Sequence, residues 1–111
     1  MRQWMVDPKF LCTKHLLGEH VEHHMFVGAI LKKKRLDGFL KGNLLEPISL
    51  FHRHSCLVEE LLKRGFKHKS DLQSFDINYF SEEELLVKID IEKSLDDLIN
   101  RCQKCRERFN A

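Results

Sequence analysis

A chain of 111 residues with 42% hydrophobic content can close one domain around one modest core. No apolar run approaches the roughly 20 residues that cross a bilayer, and residues 1–8 lack the apolar stretch of a secretory signal. A soluble cytoplasmic protein without a membrane partner is therefore expected. The net charge of +2 conceals an asymmetry: residues 1–70 carry 13 Lys/Arg against 7 Asp/Glu and all 7 histidines, while residues 71–111 carry 6 against 10. A basic face beside an acidic one suits a polyanionic partner, because neutralising phosphates releases counterions.

In chain order, a first helix is predicted over residues 14–35 with Thr13 as its N-cap. Leu17, Val21, His24, Gly28 and Leu31 recur at helical spacing and are expected to face the core, widened by Leu16, Val27 and Ile30. Asp37 and Gly38 then break the pattern, and residues 39–45 read as a basic, glycine-containing loop. Pro47 is placed to open a second helix ending at Arg64, with Gly65 just beyond it. Its expected core stripe is Phe51, His54, Val58, Leu61 and Leu62. Residues 66–79 read as polar and irregular. Ser81 with Glu84 forms a capping box for a short helical turn. A third helix is expected over residues 91–109, burying Leu95, Leu98, Ile99, Cys102 and Cys105. No strand is predicted, so the expected fold is a compact all-α single domain of three main helices.

Opposite the expected core stripe of the first helix, His15, Glu19, Glu22 and Phe26 share one face, flanked by His23 and Lys33. Such a stripe is ordinarily a solvated surface. A carboxylate held among imidazoles and lysines can also act as a general base or steady a developing cation. Lys32, Lys33, Lys34 and Arg35 form a basic run continued by Lys41, and Arg53, Lys63, Arg64, Lys67 and Lys69 form a second set. A run of this kind is usually a solvated helix end that complements the helix dipole. Near a carboxylate-bearing face it becomes a phosphate track. Trp4 and Phe26 are candidate stacking groups between the phosphates, and Trp4 is equally a core anchor.

Two patterns raise the question of metal. His20 and His24 are an i, i+4 pair with zinc-compatible spacing, although His20, Glu22, His23 and His24 lack the HExxH order. A metal-dependent nuclease using His15, His20, Glu22 and His24 is one alternative function. Cys102 and Cys105 form a CxxC pair that needs two further ligands, which Cys12, Cys56 or histidines could supply. The pair also follows the buried side of a helix, so plain core cysteines are the expectation, and reduced thiols rather than disulfides.

The segment His15-Leu16-Leu17-Gly18-Glu19-His20-Val21-Glu22, continued by Phe26-Val27-Gly28-Ala29 and the basic run, resembles the first-helix motif of the phage pyrimidine-dimer DNA glycosylases, also called endonuclease V. The resemblance returns in Arg53, Leu57, Glu60, Leu62, Lys63, Arg64, Gly65 and Phe66, with a weaker echo from Ile89 to Asp97. It implies a compact all-α fold and an enzyme of DNA repair: a glycosylase with abasic-site lyase activity, independent of metal and without a cofactor. Family members attack C1′ of the damaged nucleotide with the α-amine of their first residue, release the base as a Schiff base forms, and cut the strand by β-elimination. The family glutamate falls on Glu22. Counting back from Glu22 over the family spacing lands on Met1, and the arginine that follows the family nucleophile falls on Arg2. Arginine at position 2 should preserve the initiator methionine, and α-amines as a class titrate near about 8, so a useful fraction is unprotonated at neutral pH.

The family arginines that flank the glutamate are Val21 and Met25 here, leaving His20, His23 and His24 as the groups to take their place, and the aromatic C-terminal tail of well-known members has no counterpart in Arg108-Phe109-Asn110-Ala111. The resemblance thus implies Met1 and Glu22 as catalytic residues, with Arg2, His15, His20, His23, Lys32, Lys33, Lys34, Arg35, Lys41 and Arg53 on DNA. The implied partner is double-stranded DNA carrying damaged or abasic sites. The implied state is a monomer in the cytoplasm, the host's where the enzyme is phage-encoded. A DNA-binding module without catalysis on the same scaffold is the other alternative.

Overall fold

The computed structural model describes residues 1–68 and 71–111. Lys69, part of the second basic set, lies outside the described residues. Those residues form six α-helices and three 3-10 turns, with no strand. The helices are α1 (Thr13–Leu31), α2 (Asp37–Lys41), α3 (Leu50–Lys63), α4 (Glu82–Leu85), α5 (Ile91–Arg101) and α6 (Gln103–Phe109), and the turns are Pro8–Phe10, Pro47–Ser49 and Ile77–Tyr79. The all-α expectation is met.

Helix ends explain most of the departures from the predicted boundaries. Cys12, not Thr13, is the extended residue that precedes α1. At the other end, Lys33 adopts φ 57°, its N–H returns to Ile30 O at 2.9 Å and the N–H of Lys34 returns to Ala29 O at 2.9 Å. This Schellman closure ends α1 at Leu31 and releases Lys32, Lys33, Lys34 and Arg35 from the helix as exposed chain. Asn43 (φ 53°) closes α2 in the same way, with Leu44 N–H on Phe39 O at 2.8 Å. The loop predicted over residues 39–45 is therefore partly helical, because Leu36 and Leu40 bury one turn apart. Gly65 closes α3 at φ 89°, where a side chain would be strained. The Ser81–Glu84 capping box forms as predicted. The predicted third helix breaks in two at Cys102 (φ −125°, ψ 109°), whose Sγ accepts the Cys105 N–H and caps α6.

Two apolar clusters hold the fold. One gathers Trp4, Val6, Leu11, Cys12, Leu16, Leu57, Leu61, Leu98 and Cys105; the other gathers Phe26, Ile30, Leu36, Leu40, Leu45, Leu50 and Phe80. Helices α1 and α3 contribute to both, and their middle turns carry a buried polar layer of Glu19, His23, Arg53 and, from neighbouring segments, Gln3, Glu46 and Ser49.

The orientation of α1 differs from the sequence expectation. Leu17, Val21 and Leu31 are exposed, while Leu16, Glu19, His23, Phe26, Val27 and Ile30 are buried. Apolar side chains lie on both sides of this helix, so hydrophobicity alone does not choose the face. Burial of Phe26 is worth about 1.5–3 kcal/mol, and pairing of Glu19 removes the penalty that would otherwise keep that face in water. On α3, likewise, Leu50, Arg53, His54, Leu57 and Leu61 are inside, whereas Phe51 and Leu62, expected in the core, are exposed.

Candidate active site

The buried polar layer fixes the first residues of the chain against α1. Arg53 donates from Nε to Glu19 Oε2 at 2.6 Å and from Nη2 to Glu19 Oε1 at 2.9 Å, and its Nη1 reaches Val6 O at 2.6 Å. Gln3 is fully buried: its backbone N–H donates to Leu44 O at 2.8 Å and its Oε1 accepts the Glu46 N–H at 2.5 Å. That leaves the Gln3 Nε2 amide to donate to His23 Nε2 at 3.0 Å. The other His23 nitrogen lies 2.9 Å from Glu19 O, which can only accept, so Nδ1 carries the proton. Burial pushes His23 down to about 4, so its imidazole is neutral. Ser94 Oγ closes the arrangement from α5 by donating to Trp4 O.

The consequence is at Glu22. With Gln3 and Trp4 held, the backbone N–H of Arg2 donates to Glu22 Oε2 at 3.1 Å. The carboxylate therefore stands one residue from the α-amine of Met1, itself 37% exposed and so reachable by a macromolecule. The Arg2 side chain turns the other way: Nη2 donates to Ser94 Oγ at 2.9 Å, Nη1 lies 3.9 Å from Asp97 Oδ2, and the guanidinium covers the Trp4 ring at 3.9 Å.

Met1 also lines a cleft of about 400 Å³ whose other walls are Met25, Gly28, Ala29, Lys32, Lys34, Arg35, Leu36 and Phe39. A Cβ at Gly28 would meet nothing within 4 Å, so this position leaves the cleft floor open. The rim is cationic, because the Schellman closure of α1 presents Lys32, Lys33, Lys34 and Arg35 to solvent. Arg35 is held by Asp37 Oδ2, 2.9 Å from Nε, and remains 88% exposed along its side chain. Lys41 is exposed at the end of α2.

The remaining sequence-predicted residues lie elsewhere. Arg53, expected on DNA, is 4% exposed with its donors spent on Glu19 and Val6, so it supports the site from beneath. His23 is fully buried. His20 belongs to a cluster of imidazoles with His24, His54 and His68, and burial pushes His20 and His54 down to about 4. His15 stands with Cys12, Cys102 and Cys105. The set His15, His20, Glu22 and His24, considered for a metal nuclease, does not converge: it divides between these two clusters, and Glu22 belongs to neither. In the thiol cluster, burial raises Cys105 to about 12. For Cys102 burial acts in the same sense but is outweighed by hydrogen bonds from the Cys105 and Lys104 backbone and from neighbouring thiols, which hold it below the ordinary thiol range.

Sequence reasoning did not identify Gln3, Glu46 and Ser94 as the residues that anchor the N-terminal segment. The one available signal was Glu46, a charge inside the otherwise apolar stretch from Leu44 to Ile48; Ser94, set among charged residues, gave none.

Fold and site together define a small all-helical protein whose first residue lines an open cleft with a cationic rim and whose second residue is hydrogen-bonded to a carboxylate on α1. A family model described as pyrimidine dimer DNA glycosylase matches residues 1–74, and the chain belongs to that family. No curated protein and no solved structure matches the chain.

Proposed function

We propose that the protein excises pyrimidine dimers from DNA as a glycosylase and then cleaves the strand as an abasic-site lyase, with the Met1 α-amine as nucleophile and Glu22 as its carboxylate. The observation that carries this reading is the 3.1 Å hydrogen bond from Arg2 N–H to Glu22, which sets the carboxylate one residue from Met1, the residue that lines the cationic cleft. Membership of the family supplies the substrate class, DNA carrying pyrimidine dimers.

The chemistry then follows from these groups. The amine lone pair forms a bond to C1′ as the C1′–N bond to the base breaks and the departing base takes a proton. Opening of the C1′–O4′ bond leaves an iminium, whose positive charge the Glu22 carboxylate steadies at close range. Transfer of a C2′ proton to the Glu22 carboxylate expels the 3′ phosphate by β-elimination, and water releases the enzyme. Every group in this sequence belongs to the chain, to DNA or to solvent water, and the proposed steps call on no metal. Lys32, Lys33, Lys34, Arg35 and Lys41 hold the backbone, while the damaged site opens where its pairing is already weakened.

Borohydride reduction of the iminium in the presence of dimer-containing or abasic duplex tests the proposal. Native protein is expected to form a covalent complex, and protein with a blocked or extended N-terminus is not. Glu22→Gln should lower turnover by about 10²–10⁴-fold with DNA binding intact. Equal trapping by native and blocked protein would refute the amine mechanism.

A further inference from the structure

Two side-chain clusters outside the proposed active site bring together the donor atoms that transition metals use. The first unites both ends of the chain. Cys12 and His15 come from the start of α1, and Cys102 and Cys105 from the start of α6, so the spacing is Cys-x2-His followed, 87 residues after His15, by Cys-x2-Cys. All four ligand atoms lie within 4.8 Å of one another. Cys12 Sγ is 3.9 Å from Cys102 Sγ and 3.2 Å from His15 Nδ1, and Cys105 Sγ is 3.5 Å from the same Nδ1. Tetrahedral zinc, with Zn–S near 2.3 Å and Zn–N near 2.0–2.1 Å, requires separations of about 3.8 Å between sulfurs and about 3.5 Å between sulfur and nitrogen.

The surroundings favour the same conclusion. Backbone N–H groups point at two of the sulfurs, Cys12 N–H at Cys105 Sγ (3.2 Å) and Cys105 N–H at Cys102 Sγ (3.4 Å), as thiolates bound to a cation require. The His15 ring is set edge-on against Trp4 at 5.6 Å, which directs Nδ1 toward the sulfurs. A disulfide would use two of these thiols and leave the third, and the imidazole, without a role. We propose that Cys12, His15, Cys102 and Cys105 bind a structural zinc ion that clasps α6 to the start of α1. Its closed four-ligand set leaves no position for substrate, so it is a structural site rather than a catalytic one. Cys102 and Cys105 lie beyond the matched residues 1–74, so the clasp locks the family part of the chain to the remainder.

The second cluster stands on its own observation. His20 and His24 on α1, His54 on α3 and His68 beyond α3 have ring nitrogens within 4.8 Å of one another. His54 Nε2 faces His24 Nε2 at 3.2 Å, against about 3.3–3.4 Å between nitrogens on tetrahedral zinc. His20 Nε2 and His68 Nε2 are buried with no hydrogen-bond partner among the described residues, a costly state for imidazole nitrogens unless their lone pairs meet a cation. We infer that these four imidazoles hold a second divalent transition-metal ion, which ties the segment following α3 to the two central helices.

One set of measurements tests both sites. Protein produced with zinc and freed of loosely bound metal should retain about two equivalents. Cobalt substitution should give tetrahedral spectra with a thiolate-to-cobalt charge-transfer band. Cys102→Ser and Cys105→Ser should each lose about one equivalent and that band, and His20→Ala and His54→Ala should lose about one equivalent and keep the band. Strong chelation of wild-type protein should lower its Tm, with zinc restoring it. The cobalt spectrum and the stoichiometry of the wild type decide the matter even if a variant fails to fold. Absence of the thiolate band, or a Cys12–Cys102 disulfide in the intact mass, would overturn the first site. Retention of only one equivalent, unchanged by His20→Ala, would overturn the second.

Discussion

Glu19 and Glu22 are one turn apart on α1, and both fell on the stripe that sequence spacing assigned to the outside of the helix. Glu19 is 1% exposed and chelated by Arg53, whereas Glu22 is half-buried and meets the Arg2 backbone. The difference lies in a partner 34 residues further along the chain, which helical periodicity on α1 has no means of revealing. Glu22 was legible as the proposed carboxylate through the residues around it; Glu19 as a buried structural charge was not. Removing one member of the Glu19–Arg53 pair strands a charge in the interior. Glu19→Gln or Arg53→Ala should accordingly destabilise the protein by about 3–5 kcal/mol in denaturant titration. Replacing both with apolar residues of similar volume should cost much less, and equal losses in single and double variants would contradict this account of the layer.

The elements owe their limits to chain closures that residue type only partly announces. Gly65 and the Ser81–Glu84 box were readable because glycine and the capping pair have few other uses at such positions. Lys33 and Asn43 at positive φ were not, since lysine in particular gives little warning of a left-handed conformation. That closure at Lys33 turns a helix end into a cationic rim. If the rim is the phosphate track, single Ala substitutions at Lys32 or Lys34 should weaken DNA binding on all sequences alike and reduce the slope of log K against log salt by about 1 each. Binding with an unchanged salt slope would place the track elsewhere. The open floor at Gly28 yields a second test. Gly28→Ala adds a methyl group where nothing lies within 4 Å, so α1 should gain up to about 1 kcal/mol from helix propensity. A larger side chain, as in Gly28→Leu, should fill the cleft beside Met1 and suppress turnover while the fold persists. Full activity in Gly28→Leu would show that the nucleotide does not enter there.

At the scale of the molecule, the sequence disclosed the helical class and the family, but not the layering. The two apolar clusters are separated by polar groups drawn from five stretches of chain, around Gln3, Glu19, Glu46, Arg53 and Ser94, and no local pattern joins them. Nor did local pattern join the thiols: Cys102 and Cys105 read as core cysteines of one long helix until the break at Cys102 turned them toward Cys12 and His15. What the layering achieves is to tie residues 2–4 by hydrogen bonds to α1, to the Leu44–Glu46 segment and to α5, with Met1 at the wall of the cleft. The most direct measurement of this account is to reduce the enzyme–DNA complex with borohydride, digest it, and locate the adduct by mass spectrometry. A single modification on the α-amine of Met1, abolished by N-terminal acetylation, is the expected result. An adduct on a lysine side chain that survives acetylation would contradict it.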